Sequence, residues 1–139
     1  MGRVIILILM MSSFTLGSVG IVKKKTGKVE VKRKNKIKTL HVGSHLKNGD
    51  IIMTKEKSSI GITFDDGSVI SLGSKAIFVI RNFEVKPSKK KYNVDLELKK
   101  GKVMFNSGKV GKLAPKSVKI RVPEGIIGIR GTKFVIEVL

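Results

Sequence analysis

Two histidines have a spacing that could bind a metal ion. His41 and His45 are four residues apart, which on a helix places two ligands on one face. Gly43 and a strand-like pattern lie between them, and no Glu follows the first histidine as the zinc metalloprotease motif requires. We therefore expect surface or partly buried histidines and no metal site.

Three aspartates and two lysine-containing motifs are the other candidates for chemistry. Asp50, Asp65 and Asp66 could ligate calcium, but the spacing of a calcium-binding loop is absent and a turn favours Asp at each position. Residues 88–91 (SKKK) match the Ser-x-x-Lys pattern of penicillin-binding enzymes without its companion motifs. Residues 108–112 (GKVGK) lack the spacing of a phosphate-binding loop. Without paired carboxylates or a nucleophile beside a base, the sequence predicts a non-enzymatic protein that needs no cofactor.

The elements that position these residues have the pattern of strands. From Ile21 onward apolar residues recur at every second position, and no segment forms a convincing amphipathic helix. A chain of 139 residues suits one domain. We expect an all-β single domain of short, mostly antiparallel strands in a twisted sheet folded over on itself, resembling a sandwich or roll. The clearest predicted strands are Lys28–Lys34, Ile60–Phe64, Val69–Leu72, Tyr92–Lys99 and Val118–Val122.

Turn signals separate these strands. Gly accepts a positive φ, and Asn or Asp can bond back to the chain, so Asn48-Gly49 and Asp66-Gly67 predict tight turns. The segment ITFDDGSVISL predicts a hairpin with a two-residue loop at Asp66-Gly67. The lysine run at residues 86–91 (KPSKKK) predicts a loop tip between two long strands. The repeated Gly-Lys-Val predicts turns leading into strands at Gly27, Gly101 and Gly108.

The N-terminus has the pattern of a secretory signal peptide. Residues 1–20 contain Arg3, an apolar run over 4–11, and small residues toward the end. Ser18 and Gly20 suit cleavage after Gly20, which would leave a β domain over 21–139. The alternative is an uncleaved membrane anchor over residues 4–22, although its second half is poor in lipid-facing residues.

The chain is strongly basic. Lys and Arg total 29 against 10 Asp and Glu, a net charge of +19, which favours contact with anionic surfaces. Lysines at alternate strand positions suggest a solvated face, and few aromatic residues are present to stack on bases, so we expect no nucleic-acid partner. No cysteine is present, which excludes disulfides and thiol sites.

Motifs along the chain resemble those of the FecR-like domain family. The segment VGSHLKNGDIIMTKEKSSIGITFDDGSVISLGSKA, residues 42–76, resembles a family pattern of a Gly-Asp turn, a strand ending in Thr and a hairpin tipped by Asp-Gly-Ser. The matching residues are Gly43, Leu46, Gly49, Asp50, Thr54, Asp66, Gly67, Ser68 and Leu72. LELKKGKVMF, residues 96–105, is similar to a later strand of the family.

The last segment, residues 118–138, resembles the closing motif of the family. Val122 replaces the usual Thr before Pro123. The matching residues are Pro123, Gly128, Arg130, Gly131, Thr132 and Phe134. The resemblance implies an extracytoplasmic β domain, periplasmic or secreted, and not an iron-signalling regulator. Arg130 is expected to be a structural pin whose guanidinium satisfies carbonyls of irregular strands.

Two functions from different classes follow. The first is an interaction module that docks on an envelope protein or presents an exposed strand edge to a signalling partner. The second is a cationic binder of anionic envelope polymer, lipid headgroup or glycan. The second predicts that its basic residues converge on one face. The basic residues assigned to it are Lys23, Lys24, Lys25, Lys32, Arg33, Lys34, Lys89, Lys90 and Lys91.

Overall fold

The computed structural model describes residues 17–129 and 133–139. Within these ranges the chain is all-β with mostly antiparallel pairing, as the sequence predicts. The helical elements there are α1 (Lys109–Leu113) and the 3-10 turns Pro87–Lys89 and Pro115–Ser117. The strands are β1 (Ser18–Thr26), β2 (Val29–Arg33), β3 (Lys36–Thr39), β4 (His45–Lys47), β5 (Ile51–Thr54), β6 (Ser59–Phe64), β7 (Val69–Leu72), β8 (Ile77–Lys86), β9 (Lys91–Asn106), β10 (Val118–Val122), β11 (Gly125–Gly128) and β12 (Lys133–Val138).

Strand β9 belongs to two halves of the folded sheet. Its first part pairs with β8 and, in parallel, with β10. Its last part pairs with β7 on one side and β12 on the other. One half therefore has the order β3-β2-β5-β8-β9-β10-β11, and the other β4-β1-β6-β7-β9-β12. The predicted folded-over sheet is confirmed, with one 16-residue strand joining its halves.

Gly101 lies where β9 changes partners. Its φ is +96°, and a Cβ there would come 2.6 Å from the Cα of Ala76. Buried residues of β9 also change phase across this point, because Leu98 and Val103 are both buried although an odd number of positions separates them. Gly101 is therefore within a bent strand and not in the predicted turn. Gly108, predicted to lead into a strand, instead precedes α1.

The core lies between the two halves of the sheet. Alternate strand residues point inward and are almost fully buried, as in the pattern of β6. The rings of Phe64 on β6 and Phe83 on β8 stack with centroids 4.3 Å apart, which joins the two halves directly.

The β6–β7 hairpin has a three-residue loop, not the predicted two-residue loop. Phe64 N–H donates to the carbonyl of Ser68 at 2.8 Å, and Gly67 N–H donates back to the carbonyl of Phe64 at 3.0 Å. Gly67 has a φ of +85°. This is the type I turn followed by a positive-φ glycine that three-residue hairpin loops use. The longer loop directs the Asp66 carboxylate into the protein, where it is buried.

The first strand begins inside the segment assigned to the signal peptide. β1 starts at Ser18, Val19 is 7% exposed, and its carbonyl accepts from Asp65 N–H at 3.0 Å. The expected boundary after Gly20 therefore falls within β1. Most of the alternative anchor over 4–22 lies outside the described residues. Among the described residues no helix is long and apolar enough to cross a membrane.

Candidate interaction surface

Asp50 ties the turn before β5 to the end of β2. Its carboxylate is fully buried and accepts from Arg33 Nε at 2.8 Å, Arg33 Nη2 at 2.7 Å and the backbone N–H of Lys47 at 2.8 Å. The hydrogen bond and charge of Asp50 raise the pKa of Arg33. Gly49 supports the turn with a φ of +90°, as its Asn-Gly signal predicts. Arg33 was expected among the anion contacts, but its guanidinium is occupied by a buried carboxylate.

Thr54 joins β5 to the loop after β7. Its hydroxyl donates to the carbonyl of Gly73 at 2.7 Å and accepts from Ala76 N–H at 2.8 Å. The side chain is buried, and both hydrogen-bonding roles of the hydroxyl are used. Thr54 therefore fixes a loop about twenty residues away in sequence, as the hydrogen bonds span 19 and 22 positions.

Asp66 and Ser68 connect the β6–β7 hairpin to the segment that leads into α1. The Asp66 carboxylate accepts from Ser68 N–H at 2.8 Å, Ser68 Oγ at 2.9 Å and Val110 N–H at 3.0 Å. Ser68 Oγ accepts in turn from Gly108 N–H at 2.8 Å. Both aspartate oxygens are thus engaged by protein donors, and the Asp-Gly-Ser motif fixes the chain after β9.

The other motif residues occupy varied positions. Leu46 and Leu72 belong to the core, Gly43 has a φ of +92°, and Phe134 stacks on Phe105 at 5.3 Å. Pro123 lies in the exposed β10–β11 turn, and Gly128 ends β11. Arg130, Gly131 and Thr132 lie outside the described residues, so the expected pin role of Arg130 stays a prediction.

The histidines and aspartates considered as metal ligands are not all close together in the structure. His45 Nδ1 lies 3.0 Å from Ser18 Oγ, while His41 is exposed beside the Gly43 turn. Asp65 is exposed on the hairpin turn, but partial desolvation and the charge of Asp66 raise its pKa, and His45 lowers it. No group of three or more His, Cys, Asp or Glu within 17–129 and 133–139 is placed to hold a metal ion.

The basic residues assigned to an anion surface lie in three separate places. One group is in the last part of β1, before the chain crosses into β2. A second is at the opposite end of β2, a strand of five residues. The third is at the tip of the β8–β9 hairpin, the loop tip that the lysine run predicts. The groups are Lys23, Lys24 and Lys25; Lys32 and Lys34; and Lys89, Lys90 and Lys91.

Four edge strands are paired on one side only among the described residues, namely β3, β4, β11 and β12. Proteins protect such edges with charge or shortness. β3 carries Lys36 and Lys38, β4 has three residues, and β12 carries Lys133 and Glu137. β11 reads Gly-Ile-Ile-Gly and carries no charge. It is therefore the least protected edge.

The exposure of β11 is high along its length. Ile126 is 56% and Ile127 37% exposed, and β11 pairs only with β10 within the described ranges. Alternate residues of such a strand direct their N–H and C=O groups away from the sheet. The sequence analysis missed this edge because it assigned residues 118–138 to a family closing motif and predicts no strand over 125–128. The usable signal was the apolar pair Ile126-Ile127 with a glycine on each side.

An open cleft of ≈ 430 Å³ adjoins β11, between the β10–β11 turn and the end of β12. Its apolar lining includes Val122, Ile127, Ile136 and Val138. Glu124 and Glu137 also border the cleft. The edge and the cleft together form what we call the β11 surface, defined by residues 122–128 and 136–139.

A comparison with known protein families shows which family this chain belongs to. The family described as "FecR protein" matches residues 50–138, which include most of the polar motif residues and the whole β11 surface except Leu139. The chain belongs to the FecR family. FecR-family membership supports an envelope-associated module for interaction or signalling, and the family is signalling and regulatory rather than enzymatic.

Other comparisons add little to this FecR-family assignment. No curated protein matches the sequence. A solved structure described as "Cell surface anchoring domain" is 26% identical and covers 43% of this chain and 80% of its own, with a TM-score of 0.42.

Proposed function

We propose that this FecR-family domain is a non-enzymatic, exported interaction module that binds an envelope protein by adding a strand of that partner to β11. The observation that carries the proposal is the uncharged, exposed edge of β11 beside an apolar cleft. In strand addition, main-chain hydrogen bonds supply affinity and pockets for alternate side chains supply specificity. The open edge of β11 offers the main-chain hydrogen bonds, and the cleft offers a pocket for side chains.

The rigid support of β11 favours this role. β11 is held by β10, and β10 pairs in parallel with the central strand β9 from Val118 to Arg121. Arg121 also donates to Asp95 of β9 at 2.8 and 3.1 Å. An edge on such a support needs little ordering on binding, which lowers the entropic cost of association.

The alternative, a cationic binder of anionic polymer, is supported less well. The three lysine groups lie in separate parts of the fold, and Arg33 is held by Asp50. Scattered lysines are typical of a solvated surface. We therefore place these lysines outside the proposed binding surface.

Cross-linking from two matched positions tests the proposal. Ile126 on β11 and Ile37 on β3 are 56% and 58% exposed, and both lie on edge strands. Benzoylphenylalanine is introduced at either position in the exported full chain, which is irradiated in the native cell envelope. We expect a discrete adduct from position 126 that is lost when Ile127→Lys is added, and no adduct from position 37. Equal adducts from both positions, or none from 126, would refute strand addition at β11.

A further inference from the structure

We infer that the outer face of one half of the sheet, β4-β1-β6-β7-β9-β12, binds the surface of an anionic lipid bilayer. This binding is separate from strand addition at β11 and does not depend on it. The inference rests on the side chains that the strand register brings together on this face, and on their charge and polarity.

Three exposed apolar side chains lie together on this face. Val69 is 37%, Met104 38% and Val135 51% exposed. Met104 of β9 is directly opposite Val135 of β12 and opposite Ser71 of β7. Val69, two residues before Ser71, is therefore a diagonal neighbour of Met104. All three alternate with buried or half-buried residues of their strands, so they point away from the core.

Two lysines flank this apolar group. Lys133 is two positions before Val135 on β12, and Lys102 is two positions before Met104 on β9. Both lysines are exposed. Because side chains two positions apart share one side of a strand, both lie on the outer face.

A third lysine reaches the face from β1. A Cβ placed on Gly61 of β6 would lie 3.4 Å from Lys24 Cβ and 3.9 Å from Lys24 Cγ. Gly61 lies between two buried residues of β6, so this contact is on the outer side. The register runs from Lys24 through Gly61 and Ser71 to Met104. Because Gly61 and Ser71 are small, no large side chain separates Lys24 from the apolar group.

Acidic residues are scarce on this half. The one carboxylate in its strands is Glu137, which lies directly opposite Lys102 and offsets that charge. The other half instead pairs its arginines on β8 and β10 with Asp95 of β9. The lysines in the strands of the basic half, with β9 counted from Gly101, are Lys23, Lys24, Lys25, Lys47, Lys102 and Lys133.

An anionic bilayer fits both features of the face. Its surface charge attracts lysines, and exposed apolar side chains enter the boundary between headgroups and acyl chains. A soluble polyanion would leave the apolar group exposed. A second copy of this chain would bring another charge of +19, and long-range repulsion opposes that association. The opposite side of β12 carries Ile136 and Val138, which line the cleft beside β11, so the cleft stays accessible.

A fluorophore placed on the face tests this inference. The chain contains no cysteine, so Val135→Cys or Ile37→Cys gives the full chain a single site for an environment-sensitive NBD label. The two positions are 51% and 58% exposed, but Ile37 is on β3 of the other half. Vesicles of phosphatidylcholine are added with or without phosphatidylglycerol. We expect a blue shift of the emission at position 135 with phosphatidylglycerol and none at position 37.

Two pairs of substitutions with equal charge provide the controls. Lys24→Gln with Lys133→Gln removes two lysines from the face, and Lys36→Gln with Lys38→Gln removes two exposed lysines from β3. One lysine near an anionic surface contributes about fivefold in affinity. We therefore expect the first pair to raise the lipid concentration for half of the shift at position 135 roughly 10- to 30-fold, and the second pair to raise it much less. Melting curves check that each variant is folded.

The outcomes distinguish the possible occupants. Equal shifts at positions 135 and 37, or equal effects of the two lysine pairs, would show adsorption by total charge and overturn the inference. No shift at position 135 would also overturn it, and dextran sulfate binding that needs Lys24 and Lys133 would then assign the face to a soluble polyanion. A shift without vesicles that grows with protein concentration would assign it to a second copy. None of these results bears on strand addition at β11.

Discussion

The buried carboxylate of Asp66 accepts a hydrogen bond at 3.0 Å from the backbone N–H of Val110, 44 residues further along the chain. This bond makes a turn residue responsible for the path between β9 and β10. The Asp-Gly-Ser motif therefore does more than form the hairpin turn, because it also holds a distant segment of the chain in place.

Substitution of Asp66 tests that role. On sequence grounds, Asp66→Asn would keep most of the local hydrogen bonding. The structure predicts a larger loss of stability, because both carboxylate oxygens accept hydrogen bonds. The NH₂ group of Asn is a donor, and it would oppose either Ser68 N–H or the donors Val110 N–H and Ser68 Oγ. We expect a loss of about 1–3 kcal/mol in the free energy of unfolding. Urea denaturation measures it. A calcium-dependent melting temperature that flattens in Asp66→Asn would instead assign the carboxylate to an ion.

The Arg33–Asp50 pair predicts a contrast between neighbouring basic residues. Arg33→Ala removes two hydrogen bonds from a fully buried carboxylate. Because the Arg33 side chain is itself 26% exposed, we expect a loss of about 1–3 kcal/mol in the free energy of unfolding. Lys32→Ala, one residue away and exposed, should change stability by less than about 0.5 kcal/mol. Chemical denaturation of the two variants makes the comparison. Similar losses in both would remove Arg33 from the structural framework.

The sequence predicted the fold class because strand periodicity and glycine turns are local signals. The partner of Arg33 was not predictable, because Asp50 is 17 residues away in the sequence. A basic residue among lysines is also expected to be exposed to solvent. The loop at residues 65–67 has three residues and not the predicted two, because Asp-Gly is compatible with both loop lengths. The inward orientation of the Asp66 side chain belongs to the three-residue loop. The Gly-Lys-Val pattern predicts a turn at Gly101, because the close approach of Gly101 to Ala76 is a tertiary contact that the local sequence does not show.

The candidate site was less predictable than the fold. Whether an apolar run is an inner strand or an unprotected edge depends on the order of strands in the sheet. That order is set by β9, whose two predicted parts, Tyr92–Lys99 and Leu96–Phe105, are one strand. The cleft beside β11 was likewise not predictable, because it forms only when β10, β11 and β12 come together around β9.

The raised pKa of Asp65 gives a pH dependence with a definite sign. Partial desolvation and the nearby charge of Asp66 disfavour ionised Asp65 in the folded state. Below the unfolded pKa, Asp65 is protonated and costs the folded protein nothing relative to the Asp65→Asn variant. As pH rises through the raised folded pKa, the unaltered protein loses stability relative to that variant. We expect Asp65→Asn to melt higher than the unaltered protein at pH 7, with the difference disappearing at pH 3. A difference that grows on acidification would contradict the assigned direction.

The start of β1 predicts the processed N-terminus. Val19 is in the core and Gly20 is closely packed, because a Cβ there would lie 3.2 Å from the ring of Phe64. Removal of residues 18–20 would take both from the sheet. We expect the exported protein, if cut, to begin at or before Ser18, with Gly17 and Thr15 as the small residues at the cleavage site. Intact-mass measurement decides this, and a first residue of Ile21 would restore the boundary that the sequence predicts.

Hydrogen–deuterium exchange of the partner complex purified from the envelope tests the central claim most directly. If a partner strand adds to β11, the amides of residues 125–128 should exchange more slowly in the complex than in the free protein. The lysine-protected edge over residues 36–39 should be unchanged. Protection of residues 36–39 with no change at 125–128 would contradict the account.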